Sequence, residues 1–253
     1  MRFTSRILTP LVWFLDYDGS LCPHLEAWEE RQYDSGEILK CLEILKKSSK
    51  DVLWNTGRRP ESLFGVNESF AKYSGYFIHG SLEYLADQKR THRMGPPLPS
   101  ELVDLYSTFT QMHSEFRLEV KETSLRLAAH RKEDVKKLFE LIAENPLGEY
   151  EMDWQWTRGH RGLELLARGF DKSYPIKIYM QSHLGSIPVV VGDDLLDAPA
   201  ARYALSQGGF AFLIGDHCGW ITQIPHRADQ IKYFESPAMF LDWIKTLQDS
   251  NEG

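Results

Sequence analysis

Two aspartates stand two residues apart directly after an apolar run, where Leu11-Val12-Trp13-Phe14-Leu15 gives way to Asp16-Tyr17-Asp18-Gly19-Ser20. Carboxylates that close either call for a cation or push one pKa upward, and each outcome serves phosphoryl transfer. Gly19 permits a tight turn that aims backbone N–H groups at a ligand. The same residues also suit an Asx turn with a solvated pair. A second run, Val189-Val190-Val191-Gly192-Asp193-Asp194-Leu195-Leu196-Asp197, repeats the order of apolar strand, glycine and acidic residues. Two acidic strand ends in one sheet can make a magnesium site of hard oxygen ligands, with Asp194 or Asp197 serving instead to cap the helix that follows.

Asp16-Tyr17-Asp18-Gly19-Ser20, Thr56-Gly57-Arg58, Lys172 and Gly192-Asp193-Asp194-x-x-Asp197 resemble, in order and spacing, the four motifs of the haloacid dehalogenase superfamily of aspartate-nucleophile phosphatases. His79-Gly80 and the approach from Leu163-Glu164 to Lys172 further resemble its trehalose-6-phosphate phosphatase family. The resemblance covers nearly the whole chain. It implies that Asp16 attacks phosphorus to give a phosphoaspartate, and that Asp18 protonates the leaving sugar oxygen and then activates water. It further implies that Thr56 and Lys172 hold the phosphoryl oxygens. Mg²⁺ would sit on Asp16, the Asp18 carbonyl and Asp193, with Asp194 or Asp197 in support. The physics agrees, because an anionic nucleophile approaches a phosphate dianion only where Lys and Mg²⁺ neutralise the charge.

Two exchanges, Ser20 for Thr and Thr56 for Ser, keep the hydroxyl, and Ser173 replaces a usual Gly after the third-motif Lys. The substrate-facing segment departs further. That family carries a pattern like E-x-K-x-x-S-x-x-x-H-Y-R; set on Glu122 it leaves Ser124 at the Lys position, with His130 one residue short of the pattern's His. Thr56, Gly57, Arg58, Glu122, His130 and Glu164 are the expected substrate contacts. Glu164 suits a sugar diol, since one carboxylate accepts two hydrogen bonds. Trp154 and Trp156 alternate on one strand and are read as packing. Arg58 is expected on phosphate or cap, and Arg59 as a surface ion-pair partner. Arg158, His160 and Arg161 fall in a turn that either faces the site or is solvated. His217-Cys218 is adjacent rather than at ligand spacing, so it is read as no metal site.

Positioning these residues requires strands that end together. Buried strands are expected at Leu11–Leu15, Asp51–Asn55, Tyr76–Ile78 and Ile187–Val191, with a helix from Ser35 to Lys47. That is an α/β, Rossmann-like parallel core. Pro96-Pro97 and Pro99 then punctuate a boundary. Beyond it, helices at about 100–114 and 133–145 and strands near 116–121, 124–130, 150–157 and 162–168 predict an inserted α+β cap. The expected division is a core of 1–95 and 167–253 with a cap of 96–166.

The 253 residues carry 29 Lys plus Arg against 36 Asp plus Glu, a net charge of −7, which disfavours nucleic acid as a partner. Cys22, Cys41 and Cys218 are odd in number and widely spaced, predicting a reducing compartment and no disulfide framework. Arg2 and Arg6 precede an apolar stretch from Ile7 to Leu15, but Thr9, Pro10 and Asp16 break the secretory pattern. No stretch reaches the roughly 18 apolar residues of a membrane helix. The expectation is a cytoplasmic phosphatase without membrane, a monomer or weak homo-oligomer, with a sugar-phosphate synthase as a possible partner. Trehalose 6-phosphate leads as substrate. Sucrose 6-phosphate, glucosylglycerol phosphate or a glycosyl-3-phosphoglycerate, and a catalytically silent sugar-phosphate-binding regulator, are the alternatives.

Overall fold

The computed structural model describes residues 10–24, 34–145, 147–159, 162–215, 226–227 and 229–249. The expectations attached to Arg2, Arg6, His160, Arg161, His217 and Cys218 fall outside them. Strands β1 (Leu11–Leu15), β2 (Asp51–Asn55), β3 (Gly75–Phe77), β10 (Ile187–Gly192), β11 (Phe210–Ile214) and β12 (Ile231–Phe234) pair in parallel in the order β12-β11-β10-β1-β2-β3. The antiparallel strands β4 (Leu82–Leu85) and β5 (Arg90–Arg93) extend the β3 edge. Arg90, Thr91 and Arg93 leave that last edge charged and exposed, which discourages further pairing.

The continuous apolar runs follow from burial on both faces. Leu11, Trp13 and Leu15 join Val189 and Val191 under α1 (Ser35–Ser48) and α7 (Pro237–Asp249). Val12 and Phe14, with Leu53 and Val190, face α5 (Tyr174–Ser182) and α6 (Ala198–Ser206). Alternate residues of one strand thereby fill two cores. A short helix α2 (Pro60–Val66) follows β2, with proline in its first turn.

A second sheet is antiparallel in the order β6-β7-β9-β8, from β6 (Phe116–Val120), β7 (Ser124–Ala129), β8 (Trp154–Gly159) and β9 (Gly162–Ala167). Helices α3 (Ser100–Met112) and α4 (Val135–Ala143) cover one face, where Leu125, Leu127, Leu163 and Leu165 pack with Tyr106 and Leu138. Arg126 and Glu164, opposite each other in register, take the other face. The chain is thus an α/β core with an inserted α+β cap. Trp154 is buried in the cap core, and Trp156 packs edge-on against Tyr106 with ring centroids 5.0 Å apart, so both aromatics are packing.

Two boundaries differ from the sequence expectation. Residues 148–152 form a turn of 3₁₀ helix, with Gly148 at φ +60°, so the strand expected from Tyr150 starts at Trp154. Ile78, expected in a strand, turns out of it at φ +48°. Cys22 and Cys41 are buried. None of the described helices is long and apolar enough to cross a membrane.

Candidate active site

Register places the motifs side by side. Leu15 pairs with Val191 on one flank and Trp54 on the other, so Asp193, Asp16 and Thr56 follow three neighbouring strands at their carboxyl ends. This is where an open parallel sheet leaves a crevice, beside its central strand. Asp16 donates its N–H to the Val191 carbonyl at 3.1 Å, which ties β1 to β10 just below the acidic cluster.

Lys172 lies just before α5 and is brought in by Asn55, whose Nδ2 donates to the Lys172 carbonyl at 2.9 Å. Its Nζ sits 3.0 Å from Asp16 Oδ2 and 2.7 Å from Asp197 Oδ1. All three side chains are buried. Burial alone would lower the lysine pKa, but Asp16 and Asp197 outweigh it and hold the ammonium charged well above its ordinary value. Burial pushes the Asp16 carboxyl up to about 7, with Lys172 opposing and Asp197, Asp193 and Asp18 reinforcing it.

Oxygens of Asp16, Asp193 and Asp197 lie within 4.8 Å of one another. The donor set is hard and anionic, and the buried ammonium of Lys172 cannot offset three carboxylates, so a divalent cation such as Mg²⁺ fits the cluster. The expected carboxylate ligands nevertheless have separate duties. Asp197 accepts from the backbone N–H of Asp193 at 3.1 Å and of Asp194 at 3.3 Å on one oxygen, and holds Lys172 on the other. That occupation makes it the anchor of Lys172. Asp194 caps the turn at Leu195–Asp197 by accepting from Leu196 N–H at 2.8 Å, and burial pushes its pKa, like that of Asp197, to about 6. Asp16, Asp193 and Asp197 are the carboxylates whose oxygens lie together, with Asp197 also committed to Lys172 and the turn backbone.

Asp18 is gripped by Arg58 through two hydrogen bonds, Nη2 to Oδ1 at 2.6 Å and Nε to Oδ2 at 2.8 Å. Burial would raise the Asp18 pKa, but this fork overrides it and leaves the carboxyl below its ordinary range. Arg58, expected on phosphate or cap, contacts the second aspartate of its own core. Thr56 is buried, and its Oγ1 accepts from the Arg58 N–H at 3.3 Å. Ser20 Oγ donates to Asp193 Oδ1 at 3.3 Å. His24, which sequence reasoning missed, reaches Asp193 Oδ2 through Nε2 at 2.9 Å; that hydrogen bond raises its pKa.

These groups line a cavity of about 370 Å³ roofed by the polar face of the cap, with Arg117, Glu119, Lys121, Arg126 and Glu164. Lys121 is buried at the turn between β6 and β7, with Nζ 3.3 Å from Glu164 Oε1 and donating to the Gly57 carbonyl at 3.0 Å. Arg126 Nε is 3.8 Å from the same Glu164 oxygen. Burial raises the Glu164 pKa, but Lys121, His79 and Arg126 more than reverse it and hold it at about 2. Glu164, the expected sugar contact, lines the cavity. Glu122 and His130 do not line the cavity. Glu122 is exposed beyond the hairpin turn, 3.5 Å from Arg59, and His130 is exposed past the far end of β7. Alternation along an extended chain points Glu122 away from the face that Lys121 presents. Ser124 is buried and also off the cavity, whereas Lys121 is a cap cation that lines it and reaches the core at the Gly57 carbonyl.

The fold, a parallel sheet with a second, antiparallel sheet over it, is similar to that of solved haloacid dehalogenase-like hydrolases. No protein-family model matches the sequence, and no curated protein matches it. In three dimensions it is similar to the C-terminal domain of trehalose-6-phosphate phosphatase from C. albicans, at TM-score 0.73 and 14% identity over 97% of this chain and 94% of that one. A trehalose-6-phosphate phosphatase related protein gives TM-score 0.65 and 16% identity, covering 95% of this chain and 98% of its own. A haloacid dehalogenase-like hydrolase from Bacteroides thetaiotaomicron gives 0.67 and 13%, covering 94% and 99%. At such identities the likeness is one of fold.

Proposed function

We propose that this chain is a magnesium-dependent sugar-phosphate phosphatase acting through an aspartyl phosphate, with trehalose 6-phosphate as its leading substrate. Its cap would be residues 96–166, over a core of 1–95 and 167–253. The observation that carries the reading is the buried contact of Asp16 Oδ2 with Lys172 Nζ at 3.0 Å, set at the floor of a cavity whose roof bears Lys121 and Arg126.

In this reading Asp16 attacks phosphorus, a P–O bond forms to its carboxylate, and the P–O bond to the sugar breaks. Lys172 meets the anionic charge on Asp16 and on the phosphoryl oxygens, and Thr56 offers its hydroxyl to the same group. A magnesium ion on Asp16 and Asp193 would supply further neutralising charge. Asp18 gives a proton to the departing sugar oxygen and afterwards takes one from the water that cleaves the acyl phosphate. Arg58 must release one oxygen of Asp18 before that carboxyl can carry the proton, and an incoming phosphate dianion is the natural competitor for the guanidinium.

The departure of the cap segment around Ser124 from the family pattern favours a second reading, in which the sugar is another glycosyl phosphate. Phosphate release from trehalose 6-phosphate, sucrose 6-phosphate, glucosylglycerol phosphate and glucosyl-3-phosphoglycerate, with and without Mg²⁺, tests both. One dominant, magnesium-dependent turnover names the sugar, and turnover that survives exhaustive chelation removes the metal from the reading.

A further inference from the structure

His79 has no part in the chemistry just described, yet the chain goes to unusual lengths to place it. Ile78, His79 and Gly80 stand in succession at φ +48°, +55° and +90°. Left-handed backbone is disfavoured for residues with a side chain, most of all for a β-branched one, and persists where surrounding structure enforces it. Here the Ile78 N–H donates to the Arg58 carbonyl at 3.1 Å and the His79 N–H to the Thr56 carbonyl at 3.2 Å, so the strained turn is stitched to the second motif. A Cβ on Gly57 would lie 2.7 Å from the His79 ring, which means that the imidazole occupies space only a glycine leaves open.

The ring so placed is 3% exposed and lines the cavity. Neither Nδ1 nor Nε2 has a hydrogen-bond partner among the described residues. Nε2 lies 3.8 Å from Glu164 Oε2, too far for a direct bond. Burial lowers the His79 pKa against the pull of Glu164 and keeps the imidazole neutral, with one donor and one acceptor nitrogen. Buried nitrogens left unpaired cost stability, so strain and burial are being spent on a ring whose partners must come from outside the chain. A hydroxyl oxygen about 2.8 Å from both Nε2 and Oε2 spans the gap, accepting from an Nε2–H and donating to the carboxylate.

We propose that His79 is a specificity-determining residue which, paired with Glu164, reads a hydroxyl on a polyol leaving group. The inference rests on the phosphatase reading and deepens it by naming the residue that sets the preference: through His79, esters whose leaving group carries a hydroxyl are bound more tightly than esters that lack one.

The test compares His79→Phe and His79→Asn with the wild type in Mg²⁺, on phenyl phosphate and on the fastest of trehalose 6-phosphate, sucrose 6-phosphate and glucosylglycerol phosphate. Phe keeps the ring volume against Gly57 and removes both nitrogens, whereas Asn tolerates left-handed backbone and restores a donor and an acceptor. In His79→Phe the ratio of kcat/KM for the sugar ester over phenyl phosphate should fall about ten- to a hundredfold, chiefly through KM, because the site is left with an unpaired hydroxyl partner. His79→Asn should recover part of that ratio, and it is read alone if the Phe variant does not fold. Equal losses on both esters, or an unchanged ratio in both variants, overturn the proposal while leaving the phosphatase reading intact. A wild type inactive on every ester overturns the reading and the proposal together.

Discussion

Arg58 closes both of its arms on Asp18, at 2.6 and 2.8 Å, so the expected proton carrier of this site rests as a tightly paired carboxylate. The fork also lies across Tyr17, with the guanidinium carbon 4.8 Å from the ring centroid, which fixes its plane. A lysine cannot reproduce two parallel hydrogen bonds. Arg58→Lys should therefore misplace Asp18 and slow the step in which it acts. A sugar oxygen leaves poorly without a proton, whereas para-nitrophenolate leaves well, so the variant should lose about tenfold or more in kcat on a sugar phosphate and distinctly less on para-nitrophenyl phosphate. Equal losses on the two esters would separate the fork from proton transfer.

Asp16 and Asp193 supply a prediction that needs no substrate. With the Asp16 carboxyl pushed up to about 7 by burial and neighbouring anions, a divalent cation relieves charge that folding has concentrated. Saturating Mg²⁺ should raise Tm, by roughly 2.7 kcal/mol of stabilisation at a hundred times Kd, and Asp193→Asn should abolish most of the shift. Asp16→Asn should lose more than about a thousandfold in phosphate release while remaining folded in circular dichroism. An unchanged Tm in Mg²⁺ would count against the metal site, and substantial turnover by Asp16→Asn against the nucleophile.

The Lys121–Glu164 pair makes stability depend on acid. Glu164 is held at about 2 in the fold against an ordinary 4.5, so its contribution is complete above about pH 4.5 and is lost as pH falls toward 2. That contribution is about 3 kcal/mol by linkage. Glu164→Gln removes the acid dependence and strands a buried ammonium, costing about 3–5 kcal/mol at neutral pH, and Lys121→Met added to it should restore much of the loss. Urea midpoints measured from pH 7 to pH 3 check both effects. A wild-type midpoint no more acid-sensitive than that of Glu164→Gln would dissolve the pairing.

What could be read from the chain alone follows from which contacts are local. The central strands β1 and β10 announce themselves as continuous apolar runs because both their faces are buried, and the acidic residues behind them needed only parallel register to meet. The partners of Lys121, by contrast, come from Gly57 and Glu164, 64 and 43 positions away, although Glu119, Lys121 and Ser124 themselves stand at the E-x-K-x-x-S spacing. Reading the cap by motif drew attention to Glu122 and His130, whereas the hairpin at 121–123 turns Lys121 inward and leaves Glu122 with Arg59. His24 carries no motif signal, since its contact with Asp193 spans 169 positions. The edge strand Arg90–Arg93 lacks the apolar alternation that marks a strand, because only its pairing with β4 makes it one.

Gly57 links the second motif, the cap and His79, which makes it the sharpest place to disturb them together. Its carbonyl accepts from Lys121, and its missing side chain is the space in which the His79 ring lies, 2.7 Å from where a Cβ would stand. Gly57→Ala must displace either the ring or the strand end that carries Thr56, at a cost of about 1–3 kcal/mol. The strand end is bonded to β3 and to the turn that follows it, whereas the ring nitrogens are held by nothing among the described residues, so the ring should yield. The variant should then lose preference for the sugar ester over phenyl phosphate, as His79→Phe does. In a His79→Asn background, where the smaller side chain leaves room for the methyl group, the same substitution should cost markedly less than it does alone. Strictly additive losses in kcat/KM across that double-mutant cycle would mean that the methyl group acts through Thr56, and the steric link between Gly57 and His79 would have no part in substrate choice.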